Sequence, residues 1–230
     1  MAERSGVSAP EVRADVDRAA RTGAPEVVFA GGKSAEQTVL AATSLRNAGV
    51  RPVLVTCADA DHVAAIVASL PGASVHEDCG VVVLDGLEPR ARPAGGAVIV
   101  AAGTSDLSVA RECQVVLEAM GELPQLFVDV GVAGLHRILE VAPQLEDARV
   151  VIVVAGMEAA LAPVVAGLVD APIIAVPTSV GYGAAQDGMT ALHGLLTACA
   201  PGIGVVNIDN GLGAALLACR ILGSSSKGSR

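Results

Sequence analysis

The chain has 230 residues, 52% of them apolar but only 1% aromatic, and a formal charge of −9. That length holds one large or two modest domains, and that apolar share buries a substantial core. An acidic chain with no tryptophan offers neither a basic surface for phosphate backbones nor a platform on which bases stack, which sets nucleic acid aside as a partner.

In chain order, the apolar pattern predicts a helix near 10–21, a strand near 26–30, a helix near 34–47, a strand near 52–56, a helix near 59–69 and short strands ending in GVVVLDG. Ser34 and Gln37 have capping-box spacing, and Asn47-Ala48-Gly49 reads as a helix stop. Residues 1–90 are thus expected to form a small α/β domain. Residues 84–96, LDGLEPRARPAGG, concentrate proline, glycine and charge and read as a linker.

From Ala97 five β-α units follow. Strand AVIVAAG precedes a helix over 106–120, QLFVDV a helix over 135–141, and RVVIVVAG a helix over 159–169. PIIAVP then precedes a helix over 188–198, and GIGVVNI a helix over 212–222. Strands this continuously apolar belong to a parallel sheet covered on both faces, and five units suit a flavodoxin-like sheet rather than a barrel. The second domain is therefore expected over 91–223, with 224–230 as a disordered tail.

Cys57, Cys79, Cys113, Cys199 and Cys219 are odd in number and lack CxxC spacing. They suggest neither a disulfide framework nor a zinc site and fit a reducing cytoplasm. The charged amino terminus lacks the apolar core of a signal peptide. Residues 188–208 carry no Asp, Glu, Lys or Arg, yet Pro201, Asn207 and several glycines divide them. They read as a buried helix and strand, and no membrane association is expected. His62, His76, His136 and His193 share no metal-ligand spacing and read as surface or helix histidines.

GGKS at 31–34 ends like a phosphate-binding P-loop, but Val27 stands where that motif needs its first glycine. Lys33 reads as a solvated loop lysine, with an anion at the following helix N-terminus as the other option. The dinucleotide fingerprint fails at Gln186 in GYGAAQ and at Leu216 in GLGAAL, so no nicotinamide redox cofactor is expected.

GTSDLSVA, at 103–110, follows a strand and opens a helix. Thr104 and Ser105 place hydroxyls beside unpaired N–H groups, and Asp106 can take a ribose hydroxyl or a hydrated metal; an ordinary N-cap with an acidic first turn reads equally well. Thr178, Ser179, Gly181 and Gly183 in PTSVGYG follow the fourth strand, while Asp129 in DVG and Asn207 and Asn210 in NIDNG follow two others. Several ligand-capable loops at one edge of a parallel sheet mark the place where such folds bind. Glu158, directly after an apolar strand, is either a proton-transfer group or an ordinary first-turn glutamate favouring the helix dipole. Cys199 in TACAPG closes a helix, a place that does not favour a thiolate, and residue physics alone reads it as an inert core cysteine.

GTSD, DVGVAGLHR, VVAGMEAAL, VPTSVGYG, CAPG and VVNIDNG, in this order, together resemble the LarB family of carboxylase/hydrolases that open nickel-pincer nucleotide synthesis. RTGAPEVVFAGGKSAEQT is similar to that family's leading domain, so the likeness spans most of residues 18–221. The second domain also resembles the wider superfamily of purine-pathway aminoimidazole ribonucleotide carboxylases and mutases, which form octamers. The resemblance implies carboxylation of nicotinic acid adenine dinucleotide at C5 of its pyridinium ring, with cleavage of its phosphoanhydride. The products would be pyridinium-3,5-biscarboxylic acid mononucleotide and AMP, with carbon dioxide or bicarbonate as co-substrate.

The resemblance further implies that Cys199 attacks the ring and that Glu158 lies near it. Thr104, Ser105 and Asp106 would hold phosphate or ribose, with magnesium as a candidate cation. The glycines of PTSVGYG would let the nucleotide approach closely. One alternative is a purine-pathway carboxylase or mutase, whose glycine-rich loop carries a histidine that is absent here between Val150 and Val176. Another is a non-catalytic nucleotide-binding module. A helix after the fourth strand runs back along the sheet, so Cys199 is expected at the edge opposite Glu158 and Ser105, and a neighbouring copy is expected to complete each site.

Overall fold

The computed structural model describes residues 12–90 and 95–224. The chain divides into two units, one comprising the residues up to Val75 with Val82–Asp85, the other His76–Val81 with the residues from Gly86 onward.

The first unit contains β1 (Val27–Phe29), α2 (Ala35–Asn47), β2 (Val53–Thr56) and α3 (Ala60–Ser69), after a short α1 (Arg18–Thr22). With β3 (Ser74–His76) and β4 (Val81–Leu84) its sheet has the order β1-β2-β4-β3. β1 and β2 are parallel, and β2 and β4 antiparallel. The start of the helix expected near 10–21 lies outside the described residues, and helix is present from Arg18. Before it, Asp15 is held by Arg21 and Arg18 at 2.7 and 3.3 Å. The Arg21 hydrogen bond pulls the Asp15 carboxyl down to about 2.

The capping box of α2 forms as its spacing predicts. Gln37 N–H donates to Ser34 Oγ at 3.2 Å and Ser34 N–H to Gln37 Oε1 at 3.1 Å. The helix stops where Gly49 turns left-handed, its N–H donating to Arg46 O while Val50 N–H reaches Leu45 O, the paired bonds of a Schellman stop. His62, expected as a surface or helix histidine, is on helix α3 and buried there, with Nδ1 2.6 Å from Asp59 Oδ1 and Nε2 2.9 Å from Lys33 O.

The second unit is a five-stranded, all-parallel sheet of β5 (Ala97–Ala101), β6 (Gln125–Phe127), β7 (Val150–Ala155), β8 (Ile173–Pro177) and β9 (Ile203–Val205). Its order, β6-β5-β7-β8-β9, is 2-1-3-4-5 in chain order, the flavodoxin-like arrangement. Alternate strand residues point to opposite faces. Val98, Val100, Val151, Val153 and Ala175 meet α5 (Leu135–Leu145), α6 (Leu161–Ala166) and α7 (Met189–Leu196) through Ile138, Val165 and Leu195.

The other face is covered by α4 (Leu107–Ala119) and α8 (Gly211–Ser224), which pack on each other and on the central strands. Their contact is close because Gly211 has no side chain: a Cβ there would stand 2.7 Å from Val109 O. Each large aliphatic side chain fully buried in these layers, such as Ile99, Ile152 or Ile174, contributes about 1.5–3 kcal/mol.

Boundaries shift where local chemistry overrides periodicity. α5 continues past the expected end at 141, through Pro143 to Leu145. α6 begins only at Leu161 rather than 159, because Met157 and Ala159 both have left-handed backbone. Among the described residues no helix is long and apolar enough to cross a membrane. Residues 225–230, most of the expected tail, lie outside the described residues.

Candidate active site

The loops that leave β5, β6 and β7 at their carboxyl ends enclose a cavity of about 360 Å³. Its lining includes Ser105, Asp106, Arg137 and Glu158, with no histidine or cysteine. Parallel α/β sheets place ligands at this edge.

Asp106 is 4% exposed and bridges two loops. Gly103 N–H donates to its Oδ2 at 2.9 Å, and Thr178 Oγ1, itself fully buried, donates to Oδ1 at 2.7 Å. Both carboxylate oxygens are thus engaged within the chain, tying the turn after β5 to the turn after β8. Ser105 is exposed and lines the cavity, whereas Thr104 is exposed beside it without lining it.

Asp129 has left-handed backbone, and its Oδ2 pairs with Arg137 Nη1 at 2.6 Å. Arg137 does line the cavity, and residue reasoning had not singled it out. The available signal was the DVGVAGLHR run that carries both partners. Gly134 gives the guanidinium its place, since a Cβ there would stand 2.6 Å from Arg137 Nε.

Glu158 sits between two left-handed non-glycine residues, Met157 at φ 55° and Ala159 at φ 54°. Such conformations cost about 1–3 kcal/mol each and persist only where surroundings enforce them. The enforcement is visible: Met157 N–H donates to Val180 O at 2.9 Å, and Ala159 N–H to Gly156 O at 2.9 Å. Gly156 leaves no room for a side chain, a Cβ there lying 2.3 Å from Val180 O. On the other side α7 presses in through Gly194, whose Cβ would stand 2.8 Å from Glu158 O. Glu158 therefore stands ahead of α6 in a clamped turn, not in the helix's first turn, with its side chain exposed at the cavity.

The remaining expected residues do not line this cavity. Ser179 N–H donates to Asp209 Oδ1 at 2.8 Å, and Asn210 Oδ1 accepts from Gly213 N–H at 2.8 Å in the first turn of α8. Gly181 has φ 156°, and a Cβ there would strike that of Ala185 at 2.4 Å. Gly183 is left-handed in open space, and Asn207 is exposed.

Cys199 is exposed rather than buried in a core. It lies in the turn between α7 and β9, and Gly202 O in that turn accepts from Ile173 N–H at the first residue of β8. Glu158 instead follows the last residue of β7, a strand of six residues and so roughly 20 Å long. Cys199 thus lies near the amino end of β8, five residues along the chain from Gly194, the α7 residue that meets Glu158 O.

The other thiols differ in chemistry. Burial pushes the Cys113 thiol up, and burial with the nearby Asp78 carboxylate raises Cys79 to about 12. At pH 8 iodoacetamide is expected to modify Cys57 and Cys199, both exposed, while Cys79 and Cys113 stay unmodified until the chain unfolds. Peptide mass spectrometry over a time course reads this directly, and early labelling of Cys113 would contradict the packing of α4.

A doubly wound sheet with a carboxylate and a guanidinium lining one cavity at its carboxyl edge defines a flavodoxin-like α/β protein. The AIR carboxylase family model matches residues 97–230, and the LarB/PurE-like N-terminal domain model matches residues 9–86. The chain belongs to the AIR carboxylase superfamily, in its LarB group, and is a carboxylase- or mutase-type enzyme. Uncharacterized protein MJ0165 of Methanocaldococcus jannaschii is 35% identical to it over 213 residues, 90% of this chain and 82% of that protein. Among solved structures, a single-substitution variant of Treponema denticola PurE2 is 21% identical with a TM-score of 0.44, covering 57% of this chain and 81% of that one. Treponema denticola PurE is likewise 21% identical, with a TM-score of 0.43, covering 56% and 80%.

Proposed function

We propose that the protein carboxylates the pyridinium ring of nicotinic acid adenine dinucleotide at C5 and hydrolyses its phosphoanhydride, releasing pyridinium-3,5-biscarboxylic acid mononucleotide and AMP. The observation that carries this reading is the joint presence of a LarB/PurE-like N-terminal domain and an AIR carboxylase module whose cavity presents a glutamate and no histidine.

The chemistry starts from a cationic ring that is electrophilic and does not react with carbon dioxide. A Cys199 thiolate adds at C4 and turns the ring into an enamine that is nucleophilic at C5. C5 then bonds to carbon dioxide. Loss of the C5 proton to Glu158 and expulsion of the thiolate restore the aromatic cation. Water cleaves the phosphoanhydride, so one dinucleotide, one carbon dioxide and one water give the two nucleotide products.

In this reading the thiol reaches each cavity from a neighbouring copy and the working enzyme is a homo-oligomer, which is supported by Cys199 being exposed, outside the cavity lining and in the turn that leads to the start of β9. Ser105 and Arg137 meet the phosphate, while the glycines of PTSVGYG keep the neighbouring loop thin. Among the described residues no three His, Cys, Asp or Glu side chains are grouped to hold a metal, so magnesium is proposed only as a counter-ion carried on the substrate's phosphates.

Incubation with the dinucleotide and ¹³C-bicarbonate, followed by mass spectrometry, tests the reading. Labelled dicarboxylated mononucleotide with equimolar AMP supports it. Turnover of aminoimidazole ribonucleotide instead, or binding without turnover, would replace it. Arg137→Gln is expected to raise KM about 10- to 100-fold with a smaller change in kcat, because a charge-assisted contact to phosphate is lost in ground state and transition state alike. Steady-state kinetics separates the two constants.

A further inference from the structure

We infer that the first unit carries a ligand site of its own, for a small anion with a compact apolar body about one ring in size. The site is a cavity of about 270 Å³ bordered by β1, α2 and the segment that precedes α1. This inference is independent of the carboxylase reading.

The floor is apolar: Val28 and Leu45 are buried and both line the cavity. Phe29, one of only three aromatic residues in the chain, lines it too while remaining 54% exposed. Its ring is folded back toward the GGKS turn, and Gly31 makes the room, since a Cβ there would stand 2.7 Å from the ring's Cζ. An exposed aromatic ring given space by a glycine is a face on which a flat ligand can lie.

The polar groups set the charge of the ligand. Lys33 Nζ donates to Phe29 O at 2.6 Å and lies 5.8 Å from the ring centroid, so the amine is turned back over the cavity with two N–H donors left to offer. Arg13 lines the cavity and has no ion-pair partner among the described residues. Glu26 also lines the cavity, its Oε2 accepting from Asp15 N–H at 2.5 Å, while Asp15 outside the lining pairs with Arg18 and Arg21. Two cations against the one carboxylate of Glu26 leave an apolar-floored cavity net positive in a chain of net charge −9, which matches a singly charged carboxylate attached to an apolar body. GGKS, which fails as a P-loop, thus supplies the cation and the ring's clearance for a different anion site.

The full-length protein is titrated with 4-fluorobenzoate and observed by fluorine NMR. The expected result is a dissociation constant of about a millimolar, as suits so few heavy atoms. The uncharged isostere 4-fluorobenzamide is expected to bind at least tenfold more weakly, and equimolar acetate to displace little probe. Lys33→Gln and Arg13→Gln, both at exposed positions, are each expected to weaken benzoate binding about fivefold or more with unchanged Tm. Arg137→Gln, in the other cavity, is expected to leave it unchanged. Absence of binding, equal binding of the amide, full displacement by acetate, or loss of binding through Arg137→Gln alone would each overturn the assignment.

Discussion

Cys199→Ala is expected to lower formation of the carboxylated mononucleotide at least about 10³-fold while changing dinucleotide affinity less than about threefold. The size follows from the ring's electronics: without the thioether the pyridinium stays cationic, and no general base makes a cationic C5 attack carbon dioxide. Placement then makes a sharper demand. Cys199 leaves α7 toward the start of β9, whereas Glu158 follows the end of β7, and the proposed reading draws the two groups of each site from different copies. Copies carrying Cys199→Ala and copies carrying Glu158→Gln should each be inactive alone. Mixed one to one and reassembled, they should regain about a quarter of wild-type activity, because a quarter of randomly assembled shared sites draw an intact thiol from one copy and an intact carboxylate from another. A site within one chain predicts no recovery, since every chain then carries one defect.

Much of this frame is readable from residue order. Continuous valine and isoleucine runs at regular spacing specify five parallel strands, because strands covered on both faces have no polar side to alternate. Ser34 with Gln37, and Asn47-Ala48-Gly49, mark the ends of α2 because capping depends on a few adjacent residues. The site is less legible, since its geometry comes from contacts between loops far apart in sequence. Nothing near Met157 or Ala159 signals left-handed backbone; it is imposed by Val180 O and by the close approach of α7 at Gly194. Those contacts shorten α6 and lift Glu158 out of the helix.

Asp106 reads locally as a cap or a ribose ligand, and its bond to Thr178, 72 positions away, makes it a strut. Arg137 is one arginine in an ordinary helical pattern until Asp129 and the space over Gly134 turn it into the cavity. His62 carries a similar lesson. Its place lies between Asp59 and Lys33 O, and the bond from α3 to the turn before α2 is one that no spacing within α3 announces.

Glu158→Gln is expected to reduce kcat about 10²- to 10⁴-fold, the usual yield of a positioned general base, with KM changed only a few-fold. Glutamine keeps the length and polarity of the side chain, so the strained turn and the contact of Gly194 with the backbone carbonyl should survive. Only the capacity to take up a proton is lost. The block therefore falls after carbon–carbon bond formation, and the ring should remain attached to sulfur with its new carboxylate in place. Acid-quenched Glu158→Gln protein is expected to carry that mass on the Cys199 peptide, where the wild type carries little. Substrate deuterated at C5 should show a larger kinetic isotope effect in the variant than in the wild type, because proton loss has become the slow step. An adduct that does not accumulate, together with an isotope effect that does not change, would remove Glu158 from proton transfer and leave it the lesser task of shaping the turn between β7 and α6.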